Sequence, residues 1–245
     1  EIAIETGVAV AVVDAPGAIK KGLVADYTLS GREGAYLAGV MAAKMSRSGS
    51  LGIVVSGEPP SWNSQSAAFA MGARAEKSSI KLIYAVIGPA AYGDAAGGRR
   101  VTASVISVGA DIIFGQGNGS SFGMIQAVET IKAVDGGKVM FIDVIGDKSS
   151  LDKGHLLSSV IWDMIPVYSA MIEDLKNDTF GTRRYGIGLS DNSVRLLKTP
   201  HIPSDVWSDL MTMRDAIIEG SLMIEEISDA QKVRELMSSV DIGEG

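Results

Sequence analysis

Residues 111–134 read DIIFGQGNGSSFGMIQAVETIKAV. A short apolar run, DIIF, is followed by a linker of glycine, serine, glutamine and asparagine. Then come Met124, Ile125, Val128, Ile131 and Val134, spaced so that they share one face of a helix. Strand, glycine-rich loop and amphipathic helix in that order form the repeating unit of a parallel sheet covered by helices. The pattern predicts a strand that stops at Phe114 and a helix over 122–134.

The same alternation extends in both directions. LGIVVS (51–56), LIYAVIG (82–88) and VMFI (139–142) are apolar runs of buried-strand length. Helical spacing fills 61–77 and 95–108, with Asp94 placed to cap the second helix and Gly109 to stop it. Upstream lie VAVAVV (8–13), a strand over 23–29 and a helix over 33–45. Downstream, 156–161 reads as a strand. Residues 164–175 read as a helix with Tyr168, Met171, Ile172 and Leu175 inward. A hairpin is expected from 185–189 and 194–197 around Asp191-Asn192, and helices over 206–218 and 230–238 close the chain. The fold class expected is α/β, a doubly wound parallel sheet.

Composition narrows the function. The chain has 245 residues and a net charge of −7, with no basic block, so nucleic acid is not an expected partner. No apolar run reaches the ~18–20 residues of a membrane-crossing helix. The absence of cysteine excludes disulfides and thiolate metal sites. The only histidines, His155 and His201, have no metal-ligand spacing, and no cofactor or metal is expected.

Ligands of open parallel sheets bind beyond the carboxyl ends of the strands. Here those ends are 56–60, 88–92, 115–121 and 143–147. They offer Tyr92, with Trp62 nearby, together with amides, hydroxyls and the carboxylates of Asp143 and Asp147. That set suits a polar, polyhydroxylated or aromatic small molecule. Each residue also has a plain structural role: Trp62 as packing, Asp143 as a turn cap, the glycines as turn geometry.

Two catalytic or cofactor motifs nearly fit 115–123. The dinucleotide fingerprint starts with Gly115 and Gly117 but has Ser120 where its third glycine belongs. Gly119-Ser-Ser121-Phe-Gly123 spells the nucleophile elbow of serine hydrolases, with Asp143 and His201 following in triad order. The elbow puts its serine directly at the strand end. With the strand ending at Phe114, Ser121 lies seven residues beyond it.

Longer segments carry a resemblance. GREGAYLAGVMAAKMS (31–46), GSLGIVVSG (49–57), PPSWNSQSAAFAMGARA (59–75), SVGADIIFGQGNGSSFGMIQAVE (107–129), VMFIDV (139–144) and SSVIWDMIPVYSAMIEDLKNDTFG (158–181) are similar to the basic membrane protein family. These are purine-nucleoside-receptor-like solute-binding lipoproteins of ABC importers. The resemblance runs from about residue 8 to 220. It implies a type I periplasmic-binding-protein fold, two doubly wound domains with a ligand cleft between them. Residues 1–48 would be part of domain 1, 49–145 domain 2, and 146–245 the return crossing and the remainder of domain 1. It implies no enzymatic activity and capture of a nucleoside (purine, such as adenosine, guanosine or inosine) for an ABC permease. It also implies an extracytoplasmic location, at the membrane only through a lipid anchor outside this chain. Asp143 would accept ribose or base hydrogen bonds, Gly117, Asn118, Gly119 and Ser120 would line the sugar, and Trp62 and Trp162 would be base-facing rings. Two departures stand out. The family's first third is not matched, so the chain reads as a portion of a longer protein. Ile161-Trp162 replaces a Lys-Arg pair. A ligand-sensing regulatory module of the same fold and a serine hydrolase using Ser121 are the alternatives.

Overall fold

The computed structural model describes residues 2–238. Its strands are β1 (Val10–Val13), β2 (Val24–Thr28), β3 (Ser50–Val55), β4 (Lys81–Val86), β5 (Ile112–Gln116), β6 (Met140–Ile145), β7 (Leu156–Trp162), β8 (Arg184–Gly186) and β9 (Val194–Leu196). Its helices are α1 (Ile2–Thr6), α2 (Arg32–Met45), α3 (Pro60–Glu76), α4 (Ala95–Ser107), α5 (Ser120–Thr130), α6 (Ile165–Lys176), α7 (Ser204–Ile218) and α8 (Ala230–Ser238). The strands form two sheets. One has three parallel strands in the order β1-β2-β8. The other has six in the order β4-β3-β5-β6-β7-β9, parallel except for the last pair.

Alternation along the central strands divides the large sheet between two cores. Ile53, Val55, Ile112, Phe114, Ile142 and Val144 face the cluster that includes α2 and α3. Val54, Ile113 and Phe141 face the cluster that includes α4 and α5. Successive side chains of a strand point to opposite faces, so a continuous apolar run is what a sheet covered on both sides requires.

Both helix pairs cross at paired glycines. A Cβ on Gly39 of α2 would sit 2.0 Å from the Phe69 carbonyl oxygen of α3, and one on Gly72 of α3 would sit 2.1 Å from the Tyr36 carbonyl oxygen of α2. On the opposite face, a Cβ on Gly98 would lie 2.3 Å from the Ser120 carbonyl oxygen and one on Gly123 1.7 Å from that of Ala95. Backbone meets backbone at both crossings, and only glycine allows that approach. At the base of the sheet the buried Asp111 carboxylate accepts from Ser46 Oγ (2.7 Å), Arg47 N (2.6 Å) and Ser48 N (2.8 Å), fixing the turn from α2 into β3.

Several local expectations change. The strand 112–116 runs two residues past Phe114 and α5 starts at Ser120, so the connecting loop is only Gly117-Asn118-Gly119. Gly115 acts inside the strand rather than as a breaker, because a Cβ there would strike the Phe141 ring at 2.5 Å. α5 ends at Thr130, and Val134 is exposed instead of joining its apolar face. The expected hairpin at Asp191-Asn192 does not form. β8 pairs with β2 and β9 with β7, so the turn closed by Val194 N donating to Gly188 O carries the chain from one sheet to the other. On α6, Met171 is buried but Tyr168, Ile172 and Leu175 are exposed.

Contacts and strand pairing run across 48/49 and 145/146. α2 packs against α3, and β7 and β9 belong to the large sheet. The small sheet takes only 10–28 and 184–186, with α6 beside it through the Tyr27–Tyr168 ring contact (6.3 Å between centroids).

Candidate functional site

The carboxyl ends of β3, β5 and β6 carry polar side chains where the strand pattern has been apolar. Ser56, Gln116 and Asp143 are all fully buried. Ser56 N donates to Gln116 O (2.9 Å), which holds the first two strand ends side by side. Gln116 Nε2 donates to Ser66 Oγ of α3 (2.6 Å). The loop to α5 is tight: a Cβ on Gly117 would lie 2.1 Å from Ser120 Oγ. Ser120 N donates to Tyr92 O (2.9 Å), tying this loop to the one after β4. The Trp62 ring stands edge-on to Tyr92, with centroids 5.3 Å apart.

Ser56 Oγ, Gln116 Oε1, Ser120 Oγ and Asp143 Oδ1 are buried and have no hydrogen-bond partner in the protein. Leaving one such group unsatisfied costs roughly 1–3 kcal/mol. Polar atoms left without a partner at the carboxyl end of a sheet have the chemistry of a site that hydrogen-bonds a polar ligand, and a second group of them, on Arg32, Asn63, Ser64, Gln65 and Trp162, lies at the starts of α2 and α3 and the end of β7.

Asp143 is the charged member. Its Oδ2 is paired with Lys148 Nζ, from the loop after β6. Burial pushes the carboxyl up to about 6, against the opposing pull of the Lys148 charge, its hydrogen bond and the Val144 amide. Lys148 Nζ also stands 5.9 Å from the centroid of the Phe122 ring in the first turn of α5.

A second concavity of about 490 Å³ opens between the two sheets. The small sheet contributes Asp14, Ser30 and Arg184, and the other wall has Arg32, Ser64 and Glu226. Asp14 has a left-handed backbone (φ 51°), a conformation that aspartate tolerates better than most residues. Burial and the neighbouring Asp26 carboxylate raise its pKa. Asp26 is fully buried and accepts from Ala15 N (2.6 Å) and Arg184 Nε (2.5 Å). Arg32 is paired with Glu226 (2.8 Å).

Of the residues expected from the sequence, Gly117, Asn118, Gly119 and Ser120 form one loop, with Asn118 exposed and Ser120 buried. Asp143 is joined to the same region by Lys148 and Phe122. Trp62 reaches it through Tyr92, but only 6% of its surface is exposed, so it packs more than it presents. Trp162 is placed differently: its Nε1 edge abuts Gly31 beside Gln65 Oε1. None of these seven lines the 490 Å³ cleft. Sequence reasoning did not single out Lys148, Asp14 or Arg32, and it included Ser56 and Gln116 only as parts of the strand ends 56–60 and 115–121. Gln116 had a usable signal, a lone polar residue extending an apolar strand, but it was absorbed into the glycine-rich loop.

The serine hydrolase alternative has no triad. Ser121 Oγ donates to Asn118 O (2.6 Å), Asp143 pairs with Lys148, and His201 Nε2 lies 3.8 Å from Asp152 Oδ2. His155 Nδ1 is bonded to Val139 O (2.8 Å).

Residues 11–228 match the family described as ABC transporter substrate-binding protein PnrA-like. Basic membrane protein A1 of Borrelia garinii subsp. bavariensis is 28% identical over 200 residues, which are 80% of this chain and 58% of that protein. An ABC transporter nucleoside-binding protein BmpA of Lactococcus lactis subsp. cremoris is 25% identical over 163 residues, 64% of this chain and 46% of that one. The chain thus spans about half the length of the curated relatives it matches. Among solved structures, an ABC transporter system solute-binding protein from Aeropyrum pernix K1 superposes with a TM-score of 0.77 at 16% identity, covering 95% of this chain and 75% of that one. The fold is the type I periplasmic-binding-protein fold, with doubly wound parallel sheets.

Proposed function

This chain belongs to the PnrA-like family of ABC transporter substrate-binding proteins, which are not enzymes, and from that premise we propose that it captures a nucleoside. A purine nucleoside such as adenosine, guanosine or inosine is the ligand this reading favours, delivered on the outer side of the membrane to an ABC permease. No helix among the described residues is long and apolar enough to cross a membrane, so on this reading membrane attachment comes from a lipid anchor carried elsewhere in the protein.

The observation that supports the reading best is that buried oxygens at the strand ends, on Ser56, Gln116, Ser120 and Asp143, have no partner in the protein. Oxygens accept from hydroxyl and amino groups, and a ribose and a purine edge supply both. Asp143 is the strongest acceptor among them, because hydrogen bonds to an ionised group are about twice as strong as neutral ones. The loop 117–120 leads into the first turn of α5, whose Phe122 ring stands beside Lys148. The binding reaction needs no chemistry. A ligand that binds one arrangement of the chain better than another shifts the protein towards it by its difference in affinity for the two.

A thermal-shift panel tests the ligand class. Purine nucleosides are expected to raise the melting temperature in a concentration-dependent way, since a ligand that binds only the folded state stabilises it by mass action. A panel in which free sugars or riboflavin raise it and no nucleoside does contradicts the reading.

A further inference from the structure

Lys148 is the only ion-pair partner of Asp143 among the described residues. The loop that carries it is held on both sides. Ser159 Oγ donates to Gly146 O (2.7 Å) before it, and after it Asp147 Oδ1 accepts from Ser149 N (2.8 Å) and Ser149 Oγ (2.5 Å). The backbone is fixed, while the lysine side chain is long and ends in a single ammonium. In the position that pairs with Asp143, Nζ also stands 5.9 Å from the centroid of the half-exposed Phe122 ring, a favourable contact that does not depend on the carboxylate.

The Asp143 carboxylate cannot be left alone. It is fully buried, and Oδ1 already lacks a partner. Removing one partner of a buried ion pair is costly because the charge that remains is uncompensated. The ammonium is therefore displaced only by a group that gives the carboxylate a hydrogen bond in exchange. Once displaced, Lys148 needs an acceptor. One hydroxyl donating to Asp143, with an adjacent oxygen accepting from Lys148, meets both demands at once.

We propose that Lys148 covers the Asp143 subsite in the ligand-free protein and is exchanged on binding by a vicinal diol, so that Lys148 selects ligands with two adjacent hydroxyls over their deoxy counterparts. The proposal rests on Asp143 being a ligand-binding residue, as in the function proposed above. It adds the residue that sets the selectivity and the group on the ligand that is read.

Isothermal titration of inosine and 2′-deoxyinosine into the wild type and Lys148→Met tests it. The wild type is expected to prefer the diol by about tenfold or more, the worth of one hydrogen bond to a charged group. In Lys148→Met the preference is expected to fall to within about threefold. A purely structural lysine would lower the affinity for both ligands equally and keep the ratio, and that result overturns the proposal. A wild type with no diol preference also overturns it, while leaving the nucleoside reading standing. A wild type that binds neither ligand overturns both. Should Lys148→Met not fold, because its carboxylate is unpaired, Lys148→Gln keeps an uncharged donor to the carboxylate. It is expected to show the same narrowed preference, and a wild-type ratio there overturns the proposal equally.

Discussion

The six-stranded and three-stranded sheets are built from the same kind of apolar strand yet end in different states. Every residue of β5 is buried, and β3 is buried from its second residue onward. β1 alternates between half-buried and exposed along its whole length. Half of the large apolar side chains left exposed lie on α1, β1 and α6, namely Ile2, Ile4, Val13, Ile165, Tyr168, Ile172 and Leu175, while those beside the large sheet, such as Val108, Phe122 and Val134, sit at helix ends and in loops. The large sheet is enclosed by helices on both faces, while the small one has β1 as an open edge. The lesson concerns polarity. In the enclosed sheet an unpartnered buried polar atom is conspicuous and points to a ligand. In the open sheet exposed apolar residues reflect missing cover and say nothing about ligands.

That contrast fails first in stability if it is wrong. Phe114 and Phe69 stack in the large-sheet core with ring centroids 4.5 Å apart and planes within 3°. Phe114→Ala is expected to cost about 3–5 kcal/mol in denaturant unfolding, the range for removing a buried aromatic. Ile165→Ala, on the exposed face of α6, is expected to stay within about 0.5 kcal/mol of wild type. Similar losses for the two would erase the distinction between the sheets.

A smaller effect sharpens it. Gly39→Ala would drive a Cβ into the Phe69 carbonyl oxygen, whereas a Cβ on Gly17, beside the small sheet, meets nothing within 4 Å. The first is expected to destabilise by about 1–3 kcal/mol through overpacking. The second is expected to be neutral to slightly stabilising, because alanine restricts the unfolded chain. Equal melting temperatures for the two variants would mean that α2 and α3 do not cross as closely as described.

Of similar size is a pH effect on Asp143. Its pKa is raised from 3.8 to about 6 in the folded chain. Between those values the folded protein holds a proton that the unfolded chain has released. The contribution of this group to stability is therefore greatest below pH ~4, falls as pH rises towards 6, and is level above that. Asp143→Asn removes the titration, so its stability relative to wild type is expected to rise from pH 4 to pH 6 in denaturant melts. Parallel profiles would show that the carboxyl does not titrate there.

Strand alternation made the large sheet legible, because a sheet covered on both faces needs unbroken apolar runs, and LGIVVS and DIIF supply them. Asp94 was read correctly as a cap: it accepts from Gly97 N (2.8 Å). The hairpin at 191–192 was misread because turn residues fix a local reversal, not which sheet each flanking strand joins. The inward face assigned to α6 failed for a related reason: helical periodicity identifies an apolar stripe but cannot say whether anything covers it. In the site, Asp143 and the 117–120 loop were visible as polar residues at strand ends. Lys148 was not, since a lysine in a loop normally points to solvent, and only the buried carboxylate beside it draws it inward.

Calorimetric titration of a purine nucleoside into wild type and Asp143→Ala tests the account most directly. Saturable binding by the wild type is expected, weakened by roughly 10- to 100-fold in Asp143→Ala, as follows from losing a hydrogen bond to a charged acceptor. Asp143→Ala binding as tightly as wild type, in a protein that still unfolds cooperatively, would contradict it.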